Sequence, residues 1–163
     1  MTLGARTVKT GFALVAWVGV LGVAAGCAQE RTAAPESTEA ARLAAVQTMV
    51  DEVRERFPEV SGVSVDQVRA LVAEQQAILI DVRAAEERAV SFIPGSISEE
   101  EYRADPDQYE GRPLVAYCTI GHRSAVFARE LAEAGTQVLN FEGSILAWTH
   151  ADGSLVGPNG PTT

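Results

Sequence analysis

The segment that most constrains the fold is the junction at residues 113–134. A short apolar run, residues 113–117, ends directly at Cys118, and a polar, Gly-containing turn then leads to Arg123. Apolar residues recur at helical spacing from Ser124 onward. A strand that passes through a tight loop into a helix predicts an α/β unit. The first N–H groups of such a helix have no internal partner and point at the loop. The junction therefore predicts a loop that binds anions.

Cys118 occupies the position in this loop where a thiol ionises easily. Helix N-termini and nearby cations lower a cysteine pKa from about 8.5 into a range of roughly 3.5–7.5. The alternative, a buried cysteine that acts as a small hydrophobe, is disfavoured by the Gly-His-Arg sequence that follows at residues 121–123. We interpret Cys118 as a nucleophile.

Further strands and helices alternate along the chain. Residues 77–82 form an unbroken apolar run with a polar tip, which is typical of a buried parallel strand. Ser64 and Gln67 fit a capping box at the start of a helix. The alternation predicts an α/β domain with a parallel sheet. Ligands of such sheets bind outside the carboxyl ends of the strands, and Cys118 lies at such an end.

The N-terminus has the order of a bacterial secretory signal. Arg6 and Lys9 give a basic start, residues 11–25 are apolar and uncharged, and small residues precede Cys27. The apolar run is shorter than the roughly 20 residues of a comfortable membrane span. We expect a signal peptide at residues 1–26, with a membrane anchor helix as the alternative.

Cys27 makes a lipoprotein signal the favoured interpretation. Residues 23–27 resemble a lipobox, in which the chain is cut before a cysteine that then carries a diacylglycerol, although Ala24 stands where Leu is usual. The alternative is an ordinary signal peptide that leaves Cys27 as a free thiol. The lipobox predicts a protein of the cell envelope, lipid-anchored to a membrane and facing the extracytoplasmic side.

Charge limits the class of partner. Removal of residues 1–26 takes away two cations and no acid, so the net charge moves from −9 to −11. An acidic surface argues against nucleic acid, which needs a basic patch. Recognition of an anion must then be local, at the Cys118 loop. With Cys27 acylated, Cys118 is the one free thiol of the mature chain and no intramolecular disulfide can form.

The remaining segments flank the predicted domain. Residues 27–39 are small and polar and predict a flexible tether. Residues 40–60 show an amphipathic helical pattern that Pro58 ends, and this helix packs either on its own domain or on a partner. Residues 156–163 are rich in Gly and Pro and predict a disordered tail.

Four segments in register resemble a rhodanese domain across roughly residues 61–155. They are residues 79–83, 93–97, 117–124 and 143–148. The resemblance implies a three-layer α/β sandwich with a mainly parallel sheet of about five strands, here preceded by the N-terminal helix. It also implies a cysteine that carries a persulfide between a sulfur donor and a thiophilic acceptor, without a metal or an organic cofactor.

The resemblance assigns roles to residues of this chain. Cys118 is the nucleophile, and Asp81 and Arg83 form a structural pair that braces the loop. The cradle around the substrate consists of Thr119, Ile120, Gly121, His122, Arg123 and Ser124. The loop from Cys118 to Arg123 has six residues, as in the sulfurtransferases, whereas related dual-specificity phosphatases have a loop one residue longer. We interpret Glu86 and Glu87 as part of a solvated face and predict no metal site.

Several roles stay open at the level of sequence. Arg123 either neutralises an anion or bonds a carboxylate that holds the loop, and His122 is either a donor to substrate or a solvated residue. Phe92 stands where the family often has His, and Thr119 where many thiosulfate-using members carry a cation. The natural donor is therefore either thiosulfate or a persulfide.

We expect a sulfurtransferase that moves sulfane sulfur from such a donor to a thiol, or to cyanide in vitro, through a Cys118 persulfide. The alternative is a non-catalytic or redox-sensing module that acts as a sulfur relay or binding protein of the envelope, with the helix at residues 40–60 as its docking surface. Phosphatase or arsenate chemistry is disfavoured by the length of the loop.

Overall fold

A computed structural model of the protein describes residues 39–158 and 160–162. The predicted signal peptide at residues 1–26, the lipid attachment site at Cys27 and all of the tether except Glu39 lie outside the described residues. In the part that is described, none of the helices is both long enough and apolar enough to cross a membrane.

Short strands alternate with helices along the described chain. The helices are α1 Glu39–Arg56, α2 Val65–Ala73, α3 Ala85–Val90, α4 Glu99–Ala104, α5 His122–Glu133 and α6 Ser144–His150, with a 3-10 turn at Pro106–Tyr109. The strands are β1 Gly62–Val63, β2 Ile78–Asp81, β3 Ile97–Ser98, β4 Leu114–Tyr117, β5 Leu139–Phe141, β6 Leu155–Gly157 and β7 Gly160–Thr162. The capping box predicted at α2 is confirmed, since Ser64 and Gln67 exchange both bonds.

Five strands form one parallel sheet in the order β1-β5-β4-β2-β3. In its centre, Asp81 at the end of β2 lies opposite Tyr117 at the end of β4. The carboxyl ends of the two central strands therefore meet at one edge, and Cys118 is the next residue there. The predicted fold class, an α/β domain with a mainly parallel sheet of about five strands, is confirmed.

Helices cover the sheet on both faces. Strand β2 alternates between the two sides: Ile78 and Ile80 pack in one core with residues of α4 and α5, whereas Leu79 packs in the other core with residues of α2 and α6. The period of two along a strand produces this alternation. The sheet is buried in the middle layer, which explains why its central strands read as continuous apolar runs.

Helix α1 packs on the domain itself. Its apolar stripe, Val46, Val50 and Val53, is buried, whereas Leu43 remains 46% exposed. Val53 belongs to a small core that also contains Ala125 of α5. Of the two arrangements considered for this helix, the structure shows the intramolecular one.

The C-terminal segment differs from the prediction. Residues 156–163 were predicted to be disordered, but β6 and β7 form an antiparallel pair within that region. The pair is attached to the domain because Phe92 and Val156 exchange backbone hydrogen bonds of 2.8 and 3.0 Å. Gly and Pro residues that suggest disorder in isolation here serve the turn of a hairpin.

Candidate active site

The loop after β4 turns its backbone N–H groups toward the sulfur of Cys118. The N–H group of Gly121 donates a hydrogen bond of 3.1 Å to Sγ. Gly121 has a φ of +108°, a conformation that residues with a Cβ rarely adopt. Helix α5 begins at the next residue, His122, two residues earlier than the sequence pattern suggested.

The first turn of α6 holds the outer side of the same loop. The N–H groups of Ile145 and Leu146 donate to the carbonyl oxygens of Cys118 and Thr119, both at 3.2 Å. Cys118 in turn donates its own N–H to the hydroxyl of Ser144 at 3.1 Å. The carbonyls of Cys118 and Thr119 are therefore bound by α6, whereas the N–H groups of Ile120 and Gly121 are directed at the sulfur.

Ser144 occupies a tightly constrained position. It is fully buried, its hydroxyl also donates to the carbonyl of Phe141 at 2.9 Å, and its φ is +49°. Gly143 before it has a φ of +69°, and a Cβ there would lie 2.7 Å from that of Ala147. Two successive left-handed residues thus bring the N-terminus of α6 against the Cys118 loop.

The environment of Cys118 favours the thiolate. The residue is 1% exposed, and burial alone would raise its pKa. Hydrogen bonds outweigh burial: the N–H groups of Ser124 and Gly121, the Ser124 hydroxyl and the N–H of Ile120 all favour the anion, so the pKa of Cys118 is lowered. The thiol is thus poised to act as a nucleophile.

A buried polar pair lies behind the sulfur. The single hydroxyl proton of Ser124 is shared between two acceptors, Oδ1 of Asn140 at 2.7 Å and the Cys118 sulfur at 3.7 Å. Both polar residues are buried. Asn140 therefore holds the Ser124 hydroxyl beside the sulfur.

Arg123 ends the loop and is bound to a carboxylate. Its guanidinium donates to both oxygens of Glu87, at 2.6 and 2.8 Å, and to the Thr119 hydroxyl at 2.9 Å. The Thr119 hydroxyl completes the triangle by donating to Glu87 at 3.2 Å. The hydrogen bonds from Arg123 lower the pKa of Glu87 to about 2, so this carboxylate is charged at neutral pH.

Two other residues of the predicted cradle face α1. The Nε2 atom of His122 lies 3.2 Å from a guanidinium nitrogen of Arg56, and its ring meets Phe57 edge-on at 5.2 Å. Ile120 lines a narrow cavity together with Val50 of α1. These side chains connect the loop to the first helix.

Asp81 and Arg83 brace the strand end beside the loop. The buried Asp81 carboxylate accepts hydrogen bonds from Arg83 at 2.7 and 2.9 Å and from the Tyr117 hydroxyl at 2.8 Å. Burial, above all, raises the pKa of Tyr117, so the hydroxyl keeps its proton and donates. Because Tyr117 immediately precedes Cys118, this network fixes the point from which the loop departs.

The structure brings Thr119, Gly121, Arg123 and Ser124 together around Cys118, while Cys27 lies outside the described residues. Sequence reasoning missed Glu87, Asn140 and Ser144. Glu87 had been assigned to a solvated face, no local pattern marks Asn140, and Ser144 lies in the segment 143–148 that carries the resemblance but was given no role. Within residues 39–158 and 160–162, no group of three or more acidic, His or Cys side chains could hold a metal ion.

Comparison with known proteins agrees with this geometry. The family model described as the rhodanese-like domain matches residues 64–151, more than half of the chain. A human thiosulfate:glutathione sulfurtransferase is 32% identical over 106 residues, which are 53% of this chain and 90% of that protein. A Bacillus subtilis protein provisionally named a sulfurtransferase is 35% identical over 83 residues, 47% of this chain and 77% of its own length.

A solved structure shares the fold. The rhodanese-related protein from Thermoplasma volcanium superposes with a TM-score of 0.52 at 22% identity, covering 59% of this chain and 97% of its own. The chain belongs to the rhodanese-like domain family. Its enzyme class is that of the rhodanese-type sulfurtransferases.

Proposed function

We propose that the protein moves sulfane sulfur from a small donor, thiosulfate or a persulfide, to a thiol through a persulfide on Cys118. The observation that carries the proposal is the hydrogen bond of 3.1 Å from the Gly121 N–H to the Cys118 sulfur, within a six-residue loop of further inward N–H groups. The printed name of the human relative, which pairs thiosulfate with glutathione, supports the same donor and acceptor classes.

In the first half-reaction, the Cys118 thiolate attacks the sulfane sulfur of the donor. A new S–S bond forms on Cys118 while the S–S bond of the donor breaks, and its electron pair leaves with sulfite or with a thiolate. The loop N–H groups that stabilise the thiolate also lie where negative charge develops on the transferred sulfur. No oxidant is needed, because one S–S bond replaces another.

In the second half-reaction, an acceptor thiolate attacks the outer sulfur of the Cys118 persulfide. The acceptor leaves as a persulfide and the Cys118 thiolate is restored. Cyanide serves in vitro as a small acceptor and leaves as thiocyanate. Because Cys118 is 1% exposed, the site suits donors and acceptors that present their sulfur on a narrow chain.

Intact-mass measurement after incubation with thiosulfate or glutathione persulfide tests the proposal. We expect the chain to gain the mass of one sulfur atom, and Cys118→Ser to lose both this gain and thiocyanate formation while it keeps its far-ultraviolet circular dichroism. In protein expressed without acylation, Cys27 is a free thiol in both forms, so sulfur gained by Cys118→Ser measures non-specific persulfidation.

Other outcomes of this experiment distinguish the remaining alternatives. Sulfur transfer retained in Cys118→Ser would refute the mechanism. A mixed disulfide on Cys118 in place of the added sulfur would indicate a redox-sensing module. Hydrolysis of a generic aryl phosphate, lost in the same variant, would indicate a phosphatase.

For the location, we propose a lipid anchor at Cys27 that holds the domain on the extracytoplasmic side of a membrane. The support is in the sequence: a basic start, an apolar run at residues 11–25 and the lipobox-like residues 23–27. In this arrangement the acceptor is a thiol of the envelope, either a small molecule or a protein.

A further inference from the structure

We infer that Glu87 sets the donor specificity of Cys118: by occupying Arg123, it makes the site prefer a thiol persulfide to a dianionic donor such as thiosulfate. This inference rests on the proposed function, since it concerns the donor of the same sulfur transfer. It concerns a residue that lies on α3, outside the Cys118 loop.

Most of the hydrogen-bonding capacity of the Arg123 guanidinium is engaged within the protein, chiefly by Glu87 and then by the Cys118 sulfur, and both raise the pKa of Arg123. Both of its terminal nitrogens donate to Glu87, at 2.6 and 2.8 Å, and one also donates to Thr119 at 2.9 Å. This bidentate pair occupies the edge formed by the two terminal nitrogens, and such an edge would otherwise donate two parallel hydrogen bonds to a sulfonate or sulfate-like group. The cation at the end of the loop is therefore committed to a partner within the protein.

Glu87 is itself held in place by the start of α3. Its carboxylate accepts the N–H of Ala84 at 3.2 Å, in addition to the bonds from Arg123 and Thr119. Arg123 and Glu87 are 44% and 38% exposed, so the pair lies at the open side of the loop where a donor arrives. The opposite charges cancel there.

The other basic side chains near the loop contact groups of the protein. His122 faces Arg56 and Phe57 of the α1 region. Arg83 donates to Asp81 and to the carbonyl of Ser91, and Arg88 donates to Ser96. At the sulfur, a dianion therefore meets backbone N–H groups and the Glu87–Arg123 ion pair, while Arg56 contacts the loop at His122.

The two donors differ in the charge that their leaving groups carry. Attack of the Cys118 thiolate on thiosulfate releases sulfite with two negative charges, whereas attack on a thiol persulfide, R–S–SH, releases R–S⁻ with one. In each case the S–S bond of the donor breaks, its electron pair leaves with that group, and the Cys118 persulfide forms. A neutralised loop mouth penalises the dianion more, because Coulomb interactions scale with charge.

The test compares Glu87→Gln with Glu86→Gln, which removes the same charge from the same turn of an exposed helix. Thiocyanate formation with cyanide as the common acceptor gives kcat/KM for thiosulfate and for glutathione persulfide. We expect Glu87→Gln to raise kcat/KM for thiosulfate by about fivefold to tenfold, mainly through KM, with less than about a twofold change for the persulfide. Glu86→Gln should leave the ratio of the two donors unchanged.

Salt provides a second readout that a purely structural role would not move. A released Arg123 should make KM for thiosulfate in Glu87→Gln rise with ionic strength, because exposed charges are screened. If Glu87→Gln does not fold, Thr119→Lys tests the same idea by adding a cation beside an intact Glu87–Arg123 pair, with the same shift toward thiosulfate.

The outcomes separate the two proposals. A donor ratio that is unchanged in Glu87→Gln, or a parallel loss of activity with both donors, would show that Glu87 only positions Arg123 and would overturn this inference alone. Failure of the unmodified protein to transfer sulfur from either donor would overturn the proposed function, and this inference with it.

Discussion

The reactivity of Cys118 results from two opposed effects at one sulfur atom. Burial favours the neutral thiol, whereas the hydrogen bonds from Ser124, Gly121 and Ile120 favour the thiolate and prevail, so the pKa is lowered. A thiol with a lower pKa in the folded state adds stability above its unfolded value, about 8.5, and loses it as the pH falls through the folded value. Activity should accordingly rise with pH and level off below the pH at which a free thiol ionises.

Removal of the Ser124 hydroxyl should shift this titration upward. In Ser124→Ala the backbone N–H groups remain but one donor to the thiolate is lost, so the pKa of Cys118 should rise. In protein expressed without acylation, the ultraviolet absorbance of the thiolate as a function of pH measures this, and Cys118→Ser gives the contribution of Cys27 to be subtracted. A midpoint that falls, or that does not move, would contradict the role of the hydroxyl.

The sequence is sufficient to predict Cys118 and its loop because the strand, the turn and the helix are contiguous. The Glu87–Arg123 pair could not be predicted in the same way. The two residues are 36 positions apart, and only the adjacency of β2 and β4 brings α3 beside the loop. The role of Asn140 could not be predicted from the sequence either, since it depends on β5 lying next to β4.

Among the elements, α1 contacts the segment that leads into α6, close to the active site. Arg54 donates to both carboxylate oxygens of Glu142, at 2.6 and 2.7 Å, just before the sharp entry into α6. Val46 and Val50 approach the position where a Cβ of Gly143 would lie, at 3.2 and 3.4 Å. The first helix thus supports the segment that in turn holds the Cys118 loop.

Truncation of the buried face of α1 should cost stability. Val53→Ala removes two buried methyl groups, and we expect it to lower the free energy of unfolding by about 1–2 kcal/mol. Leu43→Ala changes a 46% exposed residue of the same helix and should stay within about 0.5 kcal/mol. Urea denaturation monitored by circular dichroism measures both variants, and equal effects would contradict the packing of α1 on this domain.

Elements with a strong local pattern were predictable, and those fixed by pairing were not. The central strands show as apolar runs because both faces are covered. The β6–β7 pair has no such signal: its attachment depends on the backbone of Phe92, which is remote in sequence. Trp148 is buried, and its indole N–H donates to the Ser154 carbonyl at 2.9 Å, one residue before β6.

At the scale of the whole molecule, the net charge is −9, and removal of the proposed signal peptide would make it −11, so charge gives no long-range attraction to anionic lipid. A membrane location therefore has to come from the proposed lipid anchor, because two or more acyl chains bind a bilayer stably.

Globomycin, which blocks the lipoprotein signal peptidase, tests this anchor in a bacterial host. We expect the uncleaved precursor to accumulate and to be visible as a larger band on immunoblots, and Cys27→Ser to abolish acylation without the inhibitor. Normal processing in the presence of globomycin would argue for an ordinary signal peptide instead.

The hydrogen bonds between α6 and the Cys118 loop affect how much the surroundings of the sulfur must reorganise during the reaction. Around a thiolate in water, solvent dipoles must reorient each time the charge distribution changes. Here the Ser144 hydroxyl fixes the N–H of Cys118, and the N–H groups of Ile145 and Leu146 fix the carbonyls of Cys118 and Thr119. The inward dipoles therefore already point at the sulfur when a donor arrives. Little reorganisation remains to be made during either half-reaction, and the same frame can serve a thiolate and a persulfide in turn.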